Sequence, residues 1–180
     1  SDPEFDLFIK EAAGEITAKA GQKCTAIRRI MVPQPHVDAL IAALSDRLAK
    51  VTIGDPRLEG TKMGALVSQS QRRDVLEKAA LIGTEATRVF GDPDAFAVEG
   101  ADAQKGAFVP PMLFHCADPD AATHVHDTEA FGPVSTIMPY RDTDHAIALL
   151  NKGKGSLVAS IITRDGETAR DMVMGAGAFH

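Results

Sequence analysis

Cys24 lies between a helical stretch and a strand-like run, in Ala20-Gly21-Gln22-Lys23-Cys24-Thr25-Ala26-Ile27-Arg28-Arg29. A thiol at a helix-to-strand turn is within reach of a substrate. Gly21, lacking a Cβ, lets another backbone come close there. Local amides and the neighbouring Lys23, Arg28 and Arg29 favour the thiolate, the nucleophilic form. The competing reading is a small buried hydrophobe, since free cysteine is among the most buried residue types. Farther on, Glu129-Ala130-Phe131-Gly132-Pro133-Val134 sets a carboxylate beside an aromatic ring and a rigid turn. On their own, Glu129 suits a solvated loop and Phe131 an ordinary core. His124-Val125-His126 has the spacing of two ligands on one strand face, with Asp127 following. A metal site usually needs three or more ligands, and no partner cluster accompanies them, so no metal is expected.

These residues need a scaffold, and the apolar periodicity supplies one. Asp6 to Ala20 places Phe8, Ile9, Ala12, Ala13 and Ile16 on one helical face, with Gly21 suited to its end. Thr25 to Pro33 reads as a strand, and His36 to Val51 as a helix on Val37, Leu40, Ile41, Leu44 and Leu48. Gly54-Asp55-Pro56 is a turn, Gln69 to Ile82 a long helix, and Thr87 to Phe90 a short strand. Residues 92 to 106 read as a surface loop. Ala107 to Cys116 is extended and interrupted by Pro110 and Pro111. Val134 to Tyr140 is a strand, Thr143 to Lys152 a helix, and Gly166 to Met174 a final helix. Leu157 to Thr163 is near-continuously apolar, as in a strand buried on both faces. A further strand is expected to begin near Gly175 to His180. Alternating strands and helices predict an α/β fold: an open, mostly parallel sheet with helices on both faces.

The 180 residues suit one domain with a substantial core. A net charge of -6 argues against a nucleic-acid surface, which wants clustered Lys and Arg. No apolar run is long enough to span a membrane, so no membrane partner is expected. Two cysteines, Cys24 and Cys116, do not make a disulfide scaffold, which favours reduced thiols and a cytoplasmic setting. Ser1-Asp2-Pro3-Glu4-Phe5 has the character of a cloning remnant, leaving residues 6–180 as the domain, an excised piece of a larger protein.

Taken as a string, Gly21, Gln22, Cys24, Ala26 and Arg29 resemble the catalytic cysteine motif of the aldehyde dehydrogenase superfamily. Glu129-Ala130-Phe131-Gly132-Pro133 resembles that superfamily's Glu-x-Phe-Gly-Pro motif, in the right order and at a fitting distance. Gly54-Asp55-Pro56, Thr61, Gly64, Gly106, Phe108 and Pro111 fall where the family has similar strings. The resemblance implies that Cys24 is the nucleophile, with its own backbone N–H as one oxyanion donor. It implies that Glu129 accepts hydrogen bonds from the nicotinamide-side ribose and that Phe131 packs near the nicotinamide. A carboxylate suits two ribose hydroxyls because it is acceptor-only. The general base, the second oxyanion donor and the nucleotide-binding domain would lie outside this chain, so NAD(P) is not expected to bind these residues alone.

Ala18 to Pro33, Lys62 to Val67 and Thr128 to Val134 resemble a narrower branch, the dehydrogenase part of the bifunctional proteins of phenylacetic acid degradation. Ala65, where most of the family has Pro, fits that branch. Met112 and Ser156-Leu157 depart from the commoner residues. The branch implies NADP and a CoA-linked semialdehyde. The nearest competitor is the related branch acting on ring-opened benzoyl-CoA semialdehyde. The family also implies a homo-oligomer built through sheet edges. Two other readings remain at this level: a non-redox cysteine hydrolase pairing Cys24 with a histidine, and a pure assembly module. Cys24 and Glu129 are expected on one side of the sheet, with Cys24 at least partly exposed.

Overall fold

The computed structural model describes residues 3–154 and 156–177. Four strands form one sheet: β1 (Arg29–Pro33), β2 (Thr87–Phe90), β3 (Met112–His115) and β4 (Val134–Tyr140). Their order is β1-β4-β3-β2. β4 runs parallel to both neighbours, and only β2 pairs antiparallel, on β3. Among the described residues the α-helices are α1 (Pro3–Thr17), α2 (Val37–Leu48), α3 (Gln69–Ile82), α4 (His124–Asp127), α5 (Thr143–Lys152) and α6 (Gly166–Gly175).

Alternation along the strands divides the core in two. Leu113 and Ile137 join Ile30 and Val32 against α1 and α2, where Ile9, Ile16, Leu40 and Leu44 are buried. Met112, Phe114, Val134 and Met138 face the other way, onto Val75, Ala79 and Ile82 of α3. Helices therefore cover both faces, as the pattern predicted. The caps are local. Ser68 accepts a hydrogen bond from Gln71 N, Asp142 from His145 N, and Asp165 from Glu167 N and Thr168 N.

Several boundaries differ from the sequence reading. Ser1 and Asp2, like Ala178 to His180 of the expected last strand, lie outside the described residues. Pro3 to Phe5 form the start of α1, and Phe5 packs against the α1–α2 core. β1 begins only at Arg29, because Thr25 to Arg28 serve the loop that carries Cys24. His124 to Asp127 is a single helical turn, not a strand, so its two histidines do not share a strand face.

The largest departure concerns Leu157 to Thr163, which belongs to no strand; Leu157 and Val158 are about half exposed, at 52% and 50%. A strand is a pairing state, and apolar β-formers alone do not create a ladder. Here the segment spans as a strap between two anchors. At one end Ser156 is held by Arg28 and Arg29; at the other, Arg164 Nε donates to Glu4 Oε1 at 2.6 Å. Between them the strap stands across a cleft from β1, the edge strand.

Candidate functional site

The chain leaves α1 through an unusual turn. Lys19, Ala20 and Gly21 are all left-handed, at φ 51, 52 and 70. For residues with a Cβ this costs roughly 1–2 kcal/mol each, so neighbouring contacts must hold it. Ala20 is buried in the core, Gln22 N donates to Lys19 O at 3.1 Å, and Gln22 Oε1 accepts from Val67 N at 3.0 Å. Lys23 pairs with Glu15 of α1 at 2.6 Å. Ala26 N closes a turn onto Lys23 O at 3.0 Å, and Ile27 O accepts from Ser135 Oγ at 2.6 Å. Cys24 sits at the exposed tip of this braced loop.

The second loop is pressed onto the first. A Cβ on Gly21 would fall 2.2 Å from Gly132 O and 2.7 Å from Pro133 N. One on Gly132 would fall 2.7 Å from Val75 Cγ2. The two glycines thus let the cysteine loop meet the Glu129–Pro133 loop backbone to backbone, and let that loop rest on the Val75 side chain of α3. Phe131 is the third left-handed residue with a side chain among those described, at φ 51, and its carbonyl accepts from Gln71 Nε2 at 3.3 Å. Backbone strain of this kind gathers where surrounding structure over-determines a functional geometry. Ala130 is buried and anchors the loop, while Glu129 and Phe131 are exposed, Phe131 at 38%, so its ring is not an ordinary core aromatic.

Cys24 and Glu129 line the same cleft, of about 770 Å³, between β1 and the strap, with Phe8 and Ala12 of α1 at its side. Among the described residues, no histidine lines it. The two buried histidines are engaged elsewhere. His145 Nε2 meets Asp120 Oδ1 at 3.1 Å, and its Nδ1 accepts from Arg141 N. His126 Nε2 meets Pro119 O at 2.8 Å and its Nδ1 meets Arg29 Nη1 at 3.3 Å. A guanidinium only donates, so His126 Nδ1 is bare and Nε2 carries the proton.

The three cations expected to favour the thiolate each have another partner. Lys23 serves Glu15 and Arg28 serves Ser156. Arg29 reaches into the interior, donating to Leu149 O at 2.8 Å and Leu150 O at 2.9 Å. Burial, together with the neighbouring Arg28 charge, pulls its pKa down to about 10 against the opposing pull of Asp127. The sequence marked Arg29 as part of a string and as a cation near the thiol; its seat on α5, more than a hundred positions along the chain, had no local signal. Cys116 is buried at the end of β3, and burial raises its pKa.

The arrangement offers an exposed thiol and an exposed carboxylate at one mouth, with a solvent-facing ring next to the carboxylate.

A family model described as the aldehyde dehydrogenase family matches residues 1–178. The chain is 48% identical over 179 residues to the 3,4-dehydroadipyl-CoA semialdehyde dehydrogenase of Aromatoleum evansii, covering 99% of this chain and 35% of that protein. A crystal structure of a betaine aldehyde dehydrogenase double mutant from Staphylococcus aureus, with NAD+ and a BME-modified cysteine, superposes with a TM-score of 0.87 at 26% identity. It is matched over 99% of this chain and 35% of its own. An NAD-dependent aldehyde dehydrogenase from Sinorhizobium meliloti superposes with a TM-score of 0.85 at 28% identity, over 99% of this chain and 34% of its own. The chain spans about a third of the length of these relatives.

Proposed function

This chain belongs to the aldehyde dehydrogenase family, and we propose that it carries the thiol-bearing half of an NAD(P)-dependent aldehyde oxidation. The observation that carries the reading is the backbone contact of Gly21 with Gly132, which brings the Cys24 and Glu129 loops to one cleft. Cys24 Sγ adds to the aldehyde carbon, and the Cys24 backbone N–H donates to the oxygen that gains charge. Bound nicotinamide dinucleotide supplies a hydride acceptor. Loss of hydride from the carbon leaves a thioester on Cys24, which water cleaves to the acid and the free thiol. Glu129 accepts from the ribose hydroxyls, and Phe131 packs beside the nicotinamide.

The 48% identity to a CoA-semialdehyde dehydrogenase supports a CoA-linked semialdehyde as substrate. The strings around Cys24, Lys62 and Thr128 support the phenylacetate branch, and with it NADP, a cytoplasmic setting and a homo-oligomer. The nucleotide-binding domain, the general base and the second oxyanion donor belong to other parts of the complete protein. A non-redox hydrolase is disfavoured because no described histidine lines the cleft that holds Cys24.

The test is dinucleotide reduction by the complete protein with an aldehyde as substrate. Cys24→Ala is expected to lower kcat by about 10³-fold or more, since the covalent route disappears. Oxidation within about tenfold of the unmodified protein would defeat the assignment. Glu129→Gln is expected to impair dinucleotide use while Cys24 still takes up an acylating ester.

A further inference from the structure

The Arg29 guanidinium lies at the C-terminal end of α5, bonded to the carbonyls of Leu149 and Leu150, where a cation complements the helix dipole. The same group bonds Ser156 Oγ at 3.3 Å, and Arg28 bonds that oxygen at 3.0 Å. Ser156 Oγ itself donates to Gly153 O at 2.8 Å. Ser156 is the first residue of the strap, and Arg29 is the first residue of β1. Strap and β1 are the two walls of the cleft that holds Cys24.

Gly153 makes this seat possible. Its φ is -81, so no left-handed conformation demands glycine. Space does: a Cβ there would lie 1.7 Å from Arg29 Nη2 and 2.1 Å from Cζ. The guanidinium occupies the volume where any other residue would carry its side chain. Arg29 and Gly153 are therefore one device, formed by residues far apart in sequence.

We infer that Arg29 is a positioning residue: seated against Gly153, it fastens the start of the strap to β1 and so sets the width of the cleft in which Cys24 meets its aldehyde. The inference rests on the proposed function for its kinetic consequence, but its structural consequence stands alone. Arg29 lines the cleft with Cys24, but its guanidinium is committed to Leu149 O, Leu150 O, Ser156 Oγ and His126 Nδ1, so it acts through Ser156 and the last turn of α5.

Two readouts test it in the complete protein. Trypsin cleavage after Lys152 and Lys154 reports release of this junction. Gly153→Ala, which evicts the guanidinium without removing its charge, and Arg29→Met should each speed that cleavage at least tenfold, with cleavage at other sites within twofold. Steady-state kinetics should show the aldehyde KM raised at least fivefold and the dinucleotide KM within twofold. Arg29→Lys, which keeps a donor for one carbonyl, should fall between Arg29→Met and the unmodified protein in both readouts. If Arg29→Met does not fold, Ser156→Ala removes only the shared hydroxyl and should still raise the aldehyde KM at least twofold. Unchanged cleavage at Lys152 and Lys154 in a folded Gly153→Ala protein would overturn the inference. So would aldehyde and dinucleotide KM values rising together, or Arg29→Lys behaving as badly as Arg29→Met. Full activity in Cys24→Ala would instead sink the functional reading and leave the cleavage result standing.

Discussion

Gly21→Ala attacks the joint between the two site loops and nothing else. The added Cβ would sit 2.2 Å from Gly132 O, where ordinary contact begins at 3.4 Å, so the loops must part by about 1 Å. The obstacle is backbone on both sides, with Gly132 itself backed by Val75, so no flexible side chain can swing away. Two costs add. Holding alanine at φ 70 costs roughly 1–2 kcal/mol. Forcing extra volume into a packed contact typically costs about 1–3 kcal/mol. The expected destabilisation is therefore about 2–5 kcal/mol. The assay is urea unfolding; with a slope of about 2 kcal/mol/M the midpoint should fall by roughly 1–2.5 M. Gly14→Ala is the matched control. Gly14 is inside α1 with nothing within 4 Å of its would-be Cβ. That change should stabilise by about 0.5–1 kcal/mol through helix propensity alone. A Gly21→Ala midpoint within about 0.3 M of the parent, roughly 0.6 kcal/mol, would refute the loop contact. Midpoints moving the same way in both variants would refute it as well. Buried Cys116 should stay unlabelled by a thiol reagent in both variants while exposed Cys24 reacts, showing that the folds are intact.

Other outcomes follow from the same packing. Burial, with help from the Arg29 and Lys152 charges and against the Pro119 carbonyl bond and Asp127, holds His126 below the usual imidazole value of 6.5. The unfolded chain then binds a proton that the folded one refuses. Stability should be full above about pH 6.5 and decline as the pH falls below it, and His126→Asn should flatten that slope in urea titrations between about pH 6.5 and 5. A slope unchanged in the variant would place the proton uptake elsewhere. Leu113 is fully buried in the middle of the sheet against α1 and α2, so Leu113→Ala should cost about 2–5 kcal/mol in the same unfolding assay.

Local physics was legible in the sequence. α3 and β2 lie where periodicity and turn residues put them, at Gln69–Ile82 and Thr87–Phe90, and β4 and α5 likewise match. Helix and strand choice there follows from side-chain spacing and caps within a few residues. The pairing of Cys24 with Glu129 at one cleft was legible only through the resemblance of their two strings to a known family, since neither residue stood out on its own. What the chain alone did not decide is whatever depends on a distant partner. Leu157 to Thr163 has strand composition but no ladder, because pairing needs a neighbouring strand; here the segment is held at its ends, through Ser156 and Arg164. Lys19 and Ala20 adopt left-handed backbone against their own preference, because the loop they start is braced by Val67 and packed on Gly132. Gly153 follows α5 without any local sign of a partner, yet its missing Cβ is where Arg29 lodges. Propensity is a property of neighbours in the chain. Space for a guanidinium, or for one backbone against another, exists only once the elements have packed.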